Sequence, residues 1–264
     1  MILAVLQFNP LHGKIFENYK TIENYLEKIQ NAIVVLPEMS TTGYLFENKE
    51  ELFPIAEEIP QGKFTNLLIN TAKKNNLLII AGVAEKENNN LYNSAIIVSP
   101  TGFIGKYRKV NLFYKEKFVF QNGEKFELFK VNFLGKEIKL GIMICFDWFF
   151  PEVCRQLKIK GAEVIAHPAN LVLPYCPSAM PIRALENKVY TITSNRIGIE
   201  IVGNENLEFI GQSVICSPNG KYLLKLDKQE VGIFKTETNL EINENITKYN
   251  NLRQDLEKLY SVLK

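Results

Sequence analysis

Metal ligands and nucleotide-binding glycine motifs are scarce in this chain of 264 residues. It contains two histidines and four cysteines, and no Cys or His pair has the close spacing of a zinc site. Neither the Gly-x-Gly-x-x-Gly pattern nor a phosphate-binding loop ending in Gly-Lys-Ser/Thr occurs. The Gly-x-Ser-x-Gly turn of serine hydrolases is missing as well. The sequence therefore predicts no metal and no organic cofactor, and it argues against a Ser-His-Asp hydrolase.

Long apolar runs and an excess of one charge are also lacking. The longest apolar run, residues 77–84, is far shorter than the roughly 20 residues that a membrane-spanning helix needs. The N-terminal segment has no basic lead and is typical of a strand rather than of a secretion signal. The formal net charge of +2 is too small for a general nucleic-acid or membrane footprint. We therefore expect a cytoplasmic protein that binds neither nucleic acid nor membrane.

Short apolar, β-branched segments alternate with amphipathic segments along the chain. Many of the apolar segments have no polar face, as expected of strands covered on both sides in a layered α/β protein. The predicted strands are residues 2–8, 32–37, 77–83, 94–99, 138–145, 163–167, 189–194, 212–217 and 231–235. No linker or low-complexity stretch interrupts the pattern, so we interpret residues 1–264 as one domain.

Cys145 differs from the other cysteines in its surroundings. It ends an apolar predicted strand, and Pro151 and Gly161 are placed to begin and end a following helix. A sharp turn after Cys145 would hold its thiol at the carboxyl edge of the sheet, where α/β proteins place reactive groups. The same turn would direct backbone N–H groups, including that of Phe146, toward one point. Cys145 is therefore the candidate nucleophile.

A cysteine nucleophile needs help, because a thiol with a pKa near 8.5 is only a few per cent ionised at neutral pH. Two arrangements could supply that help. His167 ends a predicted strand and could act as the base. Alternatively, Glu38, which follows another buried strand, could accept the proton while Lys109 stabilises developing negative charge. The residues alone leave both arrangements open.

Three short segments resemble the signature segments of the nitrilase superfamily, the carbon–nitrogen hydrolases. They are Leu36-Pro37-Glu38, Tyr107-Arg108-Lys109 and the segment from Cys145 to Glu152, in the family's order and at its intervals. Four further segments resemble the family: residues 161–170, 183–187, 194–198 and 209–213. The resemblance covers nearly the whole chain and is strongest with compact nitrilase-like enzymes of thermophilic archaea.

The resemblance implies an α/β fold, a four-layer α-β-β-α sandwich that becomes eight-layered on dimerisation. It also implies self-association as a homodimer or a higher even oligomer. An apolar stripe of Leu252, Leu256, Leu259 and Leu263 predicts a C-terminal helix. We expect this C-terminal segment, about residues 246–264, at the dimer interface.

The resemblance further implies the roles of the catalytic groups. Glu38 is expected to be the general base, Lys109 the charge stabiliser and Cys145 the nucleophile. Glu116 would position the substrate and orient Lys109. The backbone N–H of Phe146 would be a second donor to the oxyanion.

The expected reaction is hydrolysis of a non-peptide carbon–nitrogen bond through a thioester intermediate, with release of ammonia. A small amide, a carbamoyl compound and a nitrile all remain open as substrates. Tyr44, Trp148, Asn170 and Met180 are predicted to form substrate-binding walls. Many relatives carry histidine where this chain has Asn111. This difference affects the hydrogen bonds expected around the catalytic residues, but it leaves the Glu-Lys-Cys triad itself unchanged.

Two other function classes stay as alternatives. A protein of this fold could bind a ligand without hydrolysing it. The basic and aromatic residues between positions 106 and 117 could contact nucleic acid, although Glu116 interrupts them and the net charge is near zero.

Overall fold

Fourteen strands are described in residues 1–262, the part of the chain that the computed structural model covers. They are β1 Ile2–Gln7, β2 Ala32–Val35, β3 Leu77–Glu87, β4 Asn90–Ser99, β5 Gly102–Arg108, β6 Leu128–Phe133, β7 Lys136–Ile142, β8 Val164–Ala169, β9 Tyr190–Asn195, β10 Ile197–Val202, β11 Glu205–Ile210, β12 Val214–Cys216, β13 Tyr222–Lys225 and β14 Gly232–Glu237. The helices are α1 Ile15–Leu26, α2 Lys49–Leu52, α3 Lys63–Asn75, α4 Glu116–Val119, α5 Pro151–Ile159, α6 Tyr175–Asn187 and α7 Leu252–Val262.

Two six-stranded sheets contain most of these strands, and β10 and β11 form a separate hairpin. The strand orders are β14-β1-β2-β3-β4-β5 and β13-β12-β9-β8-β7-β6. In each sheet three adjacent strands pair in parallel, β1-β2-β3 in the first and β7-β8-β9 in the second, and every other pairing is antiparallel. The two halves of the chain thus build similar mixed sheets.

The alternation of side chains along a strand explains how the layers pack. In β1, Leu3 and Val5 belong to the core that also contains side chains of the second sheet, whereas Ala4 and Leu6 pack with side chains of α1 and α3. A strand with apolar residues on both faces is stable only when both faces are covered. Helices α5 and α6 contact the second sheet at β7 and β9. The result is an α-β-β-α sandwich, as predicted.

Five strands, β5, β6, β10, β11 and β13, were not among those predicted from the sequence. These strands alternate polar and apolar residues or lie at a sheet edge, so they lack a continuous apolar run. Strand β5 matters most, because the residue that follows it is Lys109.

Helix α6, Tyr175–Asn187, contains Pro181 in its interior. A proline has no N–H to donate to the carbonyl four residues earlier. That carbonyl, of Pro177, instead accepts a hydrogen bond from the Tyr222 hydroxyl at 2.9 Å. The proline is therefore tolerated because β13 satisfies the carbonyl that it leaves free.

The C-terminal helix predicted from the leucine stripe is present as α7. Leu263, the last residue of that stripe, lies outside the described residues. Within residues 1–262, no helix combines the length and the apolarity needed to cross a bilayer.

Candidate active site

The side chains of Glu38, Lys109 and Cys145 lie at the carboxyl ends of β2, β5 and β7. Strands β2 and β5 belong to one sheet and β7 to the facing sheet, so the three side chains meet between the sheets. Glu38 and Lys109 are fully buried, and Cys145 is 4% exposed. Because charged side chains are rarely buried without partners, the contacts within this group decide what it can do.

Lys109 connects two carboxylates. Its Nζ donates to Glu38 Oε1 at 2.8 Å and to Glu116 Oε1 at 2.8 Å. Burial alone would lower the pKa of Lys109, but the charges of Glu116 and Glu38 outweigh burial and raise it. The amine is therefore a permanent cation, and the described contacts use two of its three N–H donors.

Glu38 has one occupied and one free oxygen. Oε1 accepts from Lys109 and from Asn93 Nδ2, the latter at 2.7 Å. Oε2 is buried and receives no hydrogen bond from any residue within 1–262. Burial raises the pKa of Glu38, although the charge of Lys109 opposes the shift. A free, buried oxygen with a raised pKa can accept a proton.

The backbone at Glu38 depends on a close approach to β3. A Cβ atom added to Gly82 would lie 2.4 Å from the Glu38 Cα atom. The Gly82 carbonyl accepts from the backbone N–H of Ser40 at 2.9 Å and also from the Ser40 hydroxyl. Any side chain at position 82 would push the Glu38 backbone away, so this glycine fixes where the carboxylate lies.

Glu116, at the start of α4, has both carboxylate oxygens occupied. Oε1 accepts from Lys109 and from the Tyr44 hydroxyl at 2.6 Å, and Oε2 accepts from the backbone N–H of Phe113 at 3.2 Å. Glu116 therefore holds Lys109 from the side opposite Glu38. Tyr44, predicted to form a substrate-binding wall, is the hydrogen-bond partner of Glu116.

Cys145 adopts a left-handed backbone conformation with φ of +41°, which is uncommon for a residue other than glycine. A short 3-10 helix, Cys145–Phe149, begins there and leads into α5. Asp147 stabilises the turn, because its Oδ2 accepts from the backbone N–H of Ile144 at 2.9 Å and from the Tyr107 hydroxyl at 2.8 Å. The sharp turn predicted after the strand is thus present.

The thiol of Cys145 is protonated at rest. Burial raises its pKa, the negative charge of Glu38 raises it further, and the charge of Lys109 lowers it. The backbone N–H of Asn170 also donates toward the sulfur. Together these influences raise the pKa of the Cys145 thiol well above its ordinary value. Attack by the sulfur therefore requires a base that removes the proton as the sulfur–carbon bond forms.

His167 does not supply that base. Its Nε2 lies 2.9 Å from the backbone carbonyl of Cys145, and its Nδ1 lies 3.0 Å from the Thr193 hydroxyl. A carbonyl can only accept, so Nε2 carries the proton and Nδ1 accepts from Thr193. Burial lowers the pKa of His167 to about 4, which keeps the ring neutral. The ring therefore supports the backbone of Cys145 and contacts its carbonyl rather than its thiol.

A cavity of about 100 Å³ opens beside Cys145. Trp148 and Asn170, two of the predicted wall residues, line it, whereas Met180 is fully buried in the core. The full lining is Phe113, Cys145, Phe146, Trp148, Phe149, Asn170, Leu171, Val172, Leu173 and Tyr175. The aromatic segment after Cys145 was the sequence signal for much of this wall, whereas Phe113 and residues 171–173 had none. Within residues 1–262, no group of three or more His, Cys, Asp or Glu side chains could hold a metal ion.

The fold and the buried Glu-Lys-Cys group together define a hydrolase of the amidase or nitrilase type. The chain belongs to the carbon–nitrogen hydrolase family, whose sequence model matches residues 2–244. It is 47% identical to a nitrilase of Pyrococcus abyssi over 98% of each chain. It is 34% identical to a 2-oxoglutaramate amidase of Bacillus subtilis over 96% of this chain and 98% of that relative. The resemblance read from the sequence is confirmed.

Solved structures support the same fold. The carbon-nitrogen hydrolase of Helicobacter pylori G27 superposes with a TM-score of 0.80, at 23% identity, over 100% of this chain and 94% of that chain. The predicted four-layer sandwich is therefore confirmed, while the eight-layered dimer stays a prediction.

Proposed function

We propose that Cys145 is the nucleophile, Glu38 the general base and Lys109 the charge stabiliser of a hydrolase that acts on small amides, carbamoyl compounds or nitriles. One observation carries the assignment: the buried Oε2 of Glu38 has no partner in the described part of the chain, while Oε1 is fixed by Lys109. A resting thiol with a raised pKa needs such an acceptor.

The first step forms a bond between sulfur and carbon. Glu38 Oε2 takes the thiol proton as the Cys145 sulfur attacks the carbonyl carbon of an amide. The carbonyl oxygen becomes negatively charged. It accepts hydrogen bonds from the third N–H of Lys109 and from the backbone N–H of Phe146. The loss of one donor of this type raises a barrier by about 2.7–4 kcal/mol.

The intermediate then loses ammonia. The proton on Glu38 passes to the leaving nitrogen, the carbon–nitrogen bond breaks, and a thioester remains on Cys145. Glu38 next accepts a proton from water as water attacks the thioester, and the acid and the free thiol are released. A nitrile gives a thioimidate first, and addition of water and loss of ammonia convert it to the same thioester. Glu116 acts on Lys109, so we assign it as a positioning residue.

Covalent capture tests the nucleophile. Brief exposure to substrate followed by mass spectrometry should give an acyl adduct on the peptide that contains Cys145. Cys145→Ala should release no ammonia, whereas Cys154→Ala, which alters a buried cysteine of α5, should stay active. An adduct on another residue, or turnover by Cys145→Ala, would refute the assignment.

We further propose that residues 1–264 form one domain and that two copies pair, alone or within a higher even oligomer. Large apolar side chains are exposed on the outer helices: Ile159 on α5, Ile182 and Leu185 on α6, and Leu259 and Val262 on α7. Exposed apolar surface of this kind marks protein–protein contacts. Sedimentation should give the mass of a dimer or a higher even oligomer, and Ile182→Asp should shift it toward the monomer. A wild-type monomer at high protein concentration would contradict the proposal.

A cytoplasmic location is proposed as well. The nucleophile must be a free thiol, and the four cysteines are all reduced and buried. Fractionation of the source cells should recover the protein with cytoplasmic markers; recovery from outside the cytoplasm would overturn this proposal.

A further inference from the structure

The wall of the cavity beside Cys145 carries no charge. Apart from Cys145 and Asn170, its lining residues are aromatic or aliphatic. The charged side chains Glu38, Lys109 and Glu116 are hydrogen-bonded to one another through Lys109 and belong to the reacting centre. Among residues 1–262, none of the lining side chains therefore offers an ion pair to the part of the substrate beyond the reacting carbon.

An ionic group on that part of the substrate would lose its hydration without gaining a counter-ion. Desolvation of an unpaired ion is far more unfavourable than that of a neutral polar group. Aromatic rings attract cations, but this attraction is small beside the hydration that a buried ammonium group loses. A carboxylate has no such compensation at all. The cavity therefore favours an uncharged acyl group.

The volume limits the size of that group. An apolar cavity of roughly 150 Å³ admits benzene. The cavity at Cys145 is about 100 Å³, so it fits a chain of a few carbon atoms better than an aromatic ring. Leu173 and Tyr175, which are largely exposed, lie where the cavity opens to solvent.

Asn170 is the exception in this apolar wall. Its side chain is 3% exposed, and neither Nδ2 nor Oδ1 has a partner among residues 1–262. Its position is well fixed, because its backbone N–H donates toward the Cys145 sulfur and the next N–H, of Leu171, donates to Asn195 Oδ1 at 2.8 Å. A buried amide without hydrogen-bond partners is unfavourable because its donor and its acceptor have lost water, so a partner supplied by the substrate would be strongly preferred.

From this cavity and this side chain, we infer that the substrate is a short, uncharged amide or nitrile with a second, neutral hydrogen-bonding group that pairs with the Asn170 carboxamide. An asparagine side chain has a donor and an acceptor, and its complement is another carboxamide or a hydroxyl group. The inference rests on the proposed function and narrows it to one substrate class.

Four amides of equal chain length test the inference: butanamide, succinamide, succinamate and 4-aminobutanamide. They end in a methyl, a carboxamide, a carboxylate and an ammonium group. We expect succinamide to have a kcat/KM at least tenfold above butanamide, after correction for its two equivalent amides, and both ionic amides to lie at least a hundredfold below succinamide. The four matched nitriles should follow the same order.

Asn170 variants separate a contact with substrate from a general effect on the fold. Asn170→Leu should lower the ratio of kcat/KM for succinamide to kcat/KM for butanamide at least tenfold, which abolishes the preference for the second carboxamide. Asn170→Asp, which has the same shape, should raise 4-aminobutanamide relative to succinamide. An equal loss on both neutral amides would mean a structural role and would overturn the inference.

The failure of this inference and that of the proposed function look different. If succinamate or 4-aminobutanamide is the best substrate and turnover needs Cys145, the catalytic assignment stands and the inference is wrong. If butanamide equals succinamide, the role of Asn170 is wrong. If none of the eight compounds releases ammonia in a Cys145-dependent manner, the inference is wrong, and the same assay with a carbamoyl compound decides whether the proposed function is wrong as well.

Discussion

Two buried ionic groups in this protein have the same kinds of side chain but different hydrogen bonding. The first, called the reacting cluster here, consists of Glu38, Lys109 and Glu116. The second, the loop cluster, consists of Arg196 and Glu200. Both are almost fully buried. Burial alone therefore does not distinguish a site that reacts from one that holds the fold together.

The loop cluster is saturated with hydrogen bonds. Glu200 accepts a hydrogen bond from the Arg196 guanidinium group. It also accepts from the backbone N–H groups of Tyr44, at 2.9 Å, and Leu45, at 2.8 Å. Arg196 also donates to the carbonyl of Pro10 at 2.9 Å. Burial would raise the pKa of Glu200, but nearby His12, the charge of Arg196 and the two backbone N–H groups lower it to about 2. This carboxylate is permanently ionised and has no capacity for proton transfer.

The reacting cluster is unsaturated by contrast: among residues 1–262, Oε2 of Glu38 receives no hydrogen bond and one N–H of Lys109 has no acceptor. These are the two groups that an incoming substrate and the thiol require. The clusters are also connected, because Tyr44 donates its N–H to Glu200 and its hydroxyl to Glu116. The saturated cluster thus holds the loop that orients the unsaturated one.

The largest expected effect comes from Glu38→Gln. Glutamine has the shape of glutamate and can still accept from Lys109, but it cannot take the thiol proton. General-base catalysis typically contributes about 10²–10⁴-fold, so kcat/KM should fall by that factor in an ammonia-release assay. The free energy of unfolding should change little, since Glu116 still balances the charge of Lys109. Full activity in Glu38→Gln would show that the oxygen of Glu38 without a hydrogen-bond partner does not mark the reacting cluster.

Glu200→Gln should instead lower the free energy of unfolding. It leaves the buried charge of Arg196 without its counter-ion, and breaking a buried pair in this way destabilises a protein by about 3–5 kcal/mol. Urea denaturation measures the loss. The control is Glu208→Gln, which removes an exposed ion pair with Lys228 and should change stability by about 1 kcal/mol or less. Equal effects of the two variants would show that the loop cluster is not stabilising.

As the pH is lowered, catalytic activity should be lost before the loop cluster stops stabilising the fold. Glu38 must be ionised to act as base, and its pKa is raised, so kcat/KM should fall with pH at an apparent pKa above the ordinary value of about 4.3. Glu200 has a lowered pKa, so its stabilisation is complete above about 4.3 and is lost as pH falls toward about 2.

A pH series of kcat/KM, with circular dichroism at each pH, measures both effects. Activity should decline and recover reversibly while the spectrum stays native. A kcat/KM that remains constant down to pH 4 would contradict the raised pKa of Glu38.

The sequence predicted the reacting cluster better than its surroundings. Glu38 and Cys145 follow apolar strands whose burial on both faces is visible in the sequence, and their segments resemble family signatures. Strand β5, which directly precedes Lys109, was missed because Tyr107 is its only buried side chain and charged residues flank Tyr107. Lys109 was identified by resemblance and not by periodicity.

Contacts over long sequence distances could not be predicted. Tyr44 was predicted as a wall of the cavity, and its contacts with Glu116 through its hydroxyl and with Glu200, 156 residues away, through its backbone N–H were not foreseen. Met180 was expected in the same wall, but the phase of α6 turns it into the core. The direction of a side chain on an irregular loop depends on tertiary contacts, and so does the face of a helix that packs against the core. A single sequence does not reveal these contacts.

The smallest effect is expected at Asn111, the position where many relatives carry histidine. Its Nδ2 donates to Asp147 Oδ1 at 2.8 Å, and its backbone N–H donates to the same oxygen at 3.0 Å. Asp147 in turn accepts from Tyr107, at the end of β5, and from Ile144, next to the nucleophile. This carboxylate thus ties the strand that carries Lys109 to the turn that carries Cys145. It is saturated like Glu200 although it adjoins the reacting cluster.

Asn111→Ala removes one of the four donors to Asp147 and leaves three, so the carboxylate is held less firmly. A hydrogen bond of this kind contributes on the order of 1 kcal/mol, which corresponds to a decrease of several-fold in kcat/KM. The loss should fall on kcat more than on KM, because the distance between Lys109 and Cys145 changes while the cavity does not. Asn111→His supplies a ring N–H as donor and should restore most of the activity. A thousandfold loss in Asn111→Ala would instead mean that Asp147 takes part in proton transfer, and saturation would no longer separate the supporting carboxylates from the reacting one.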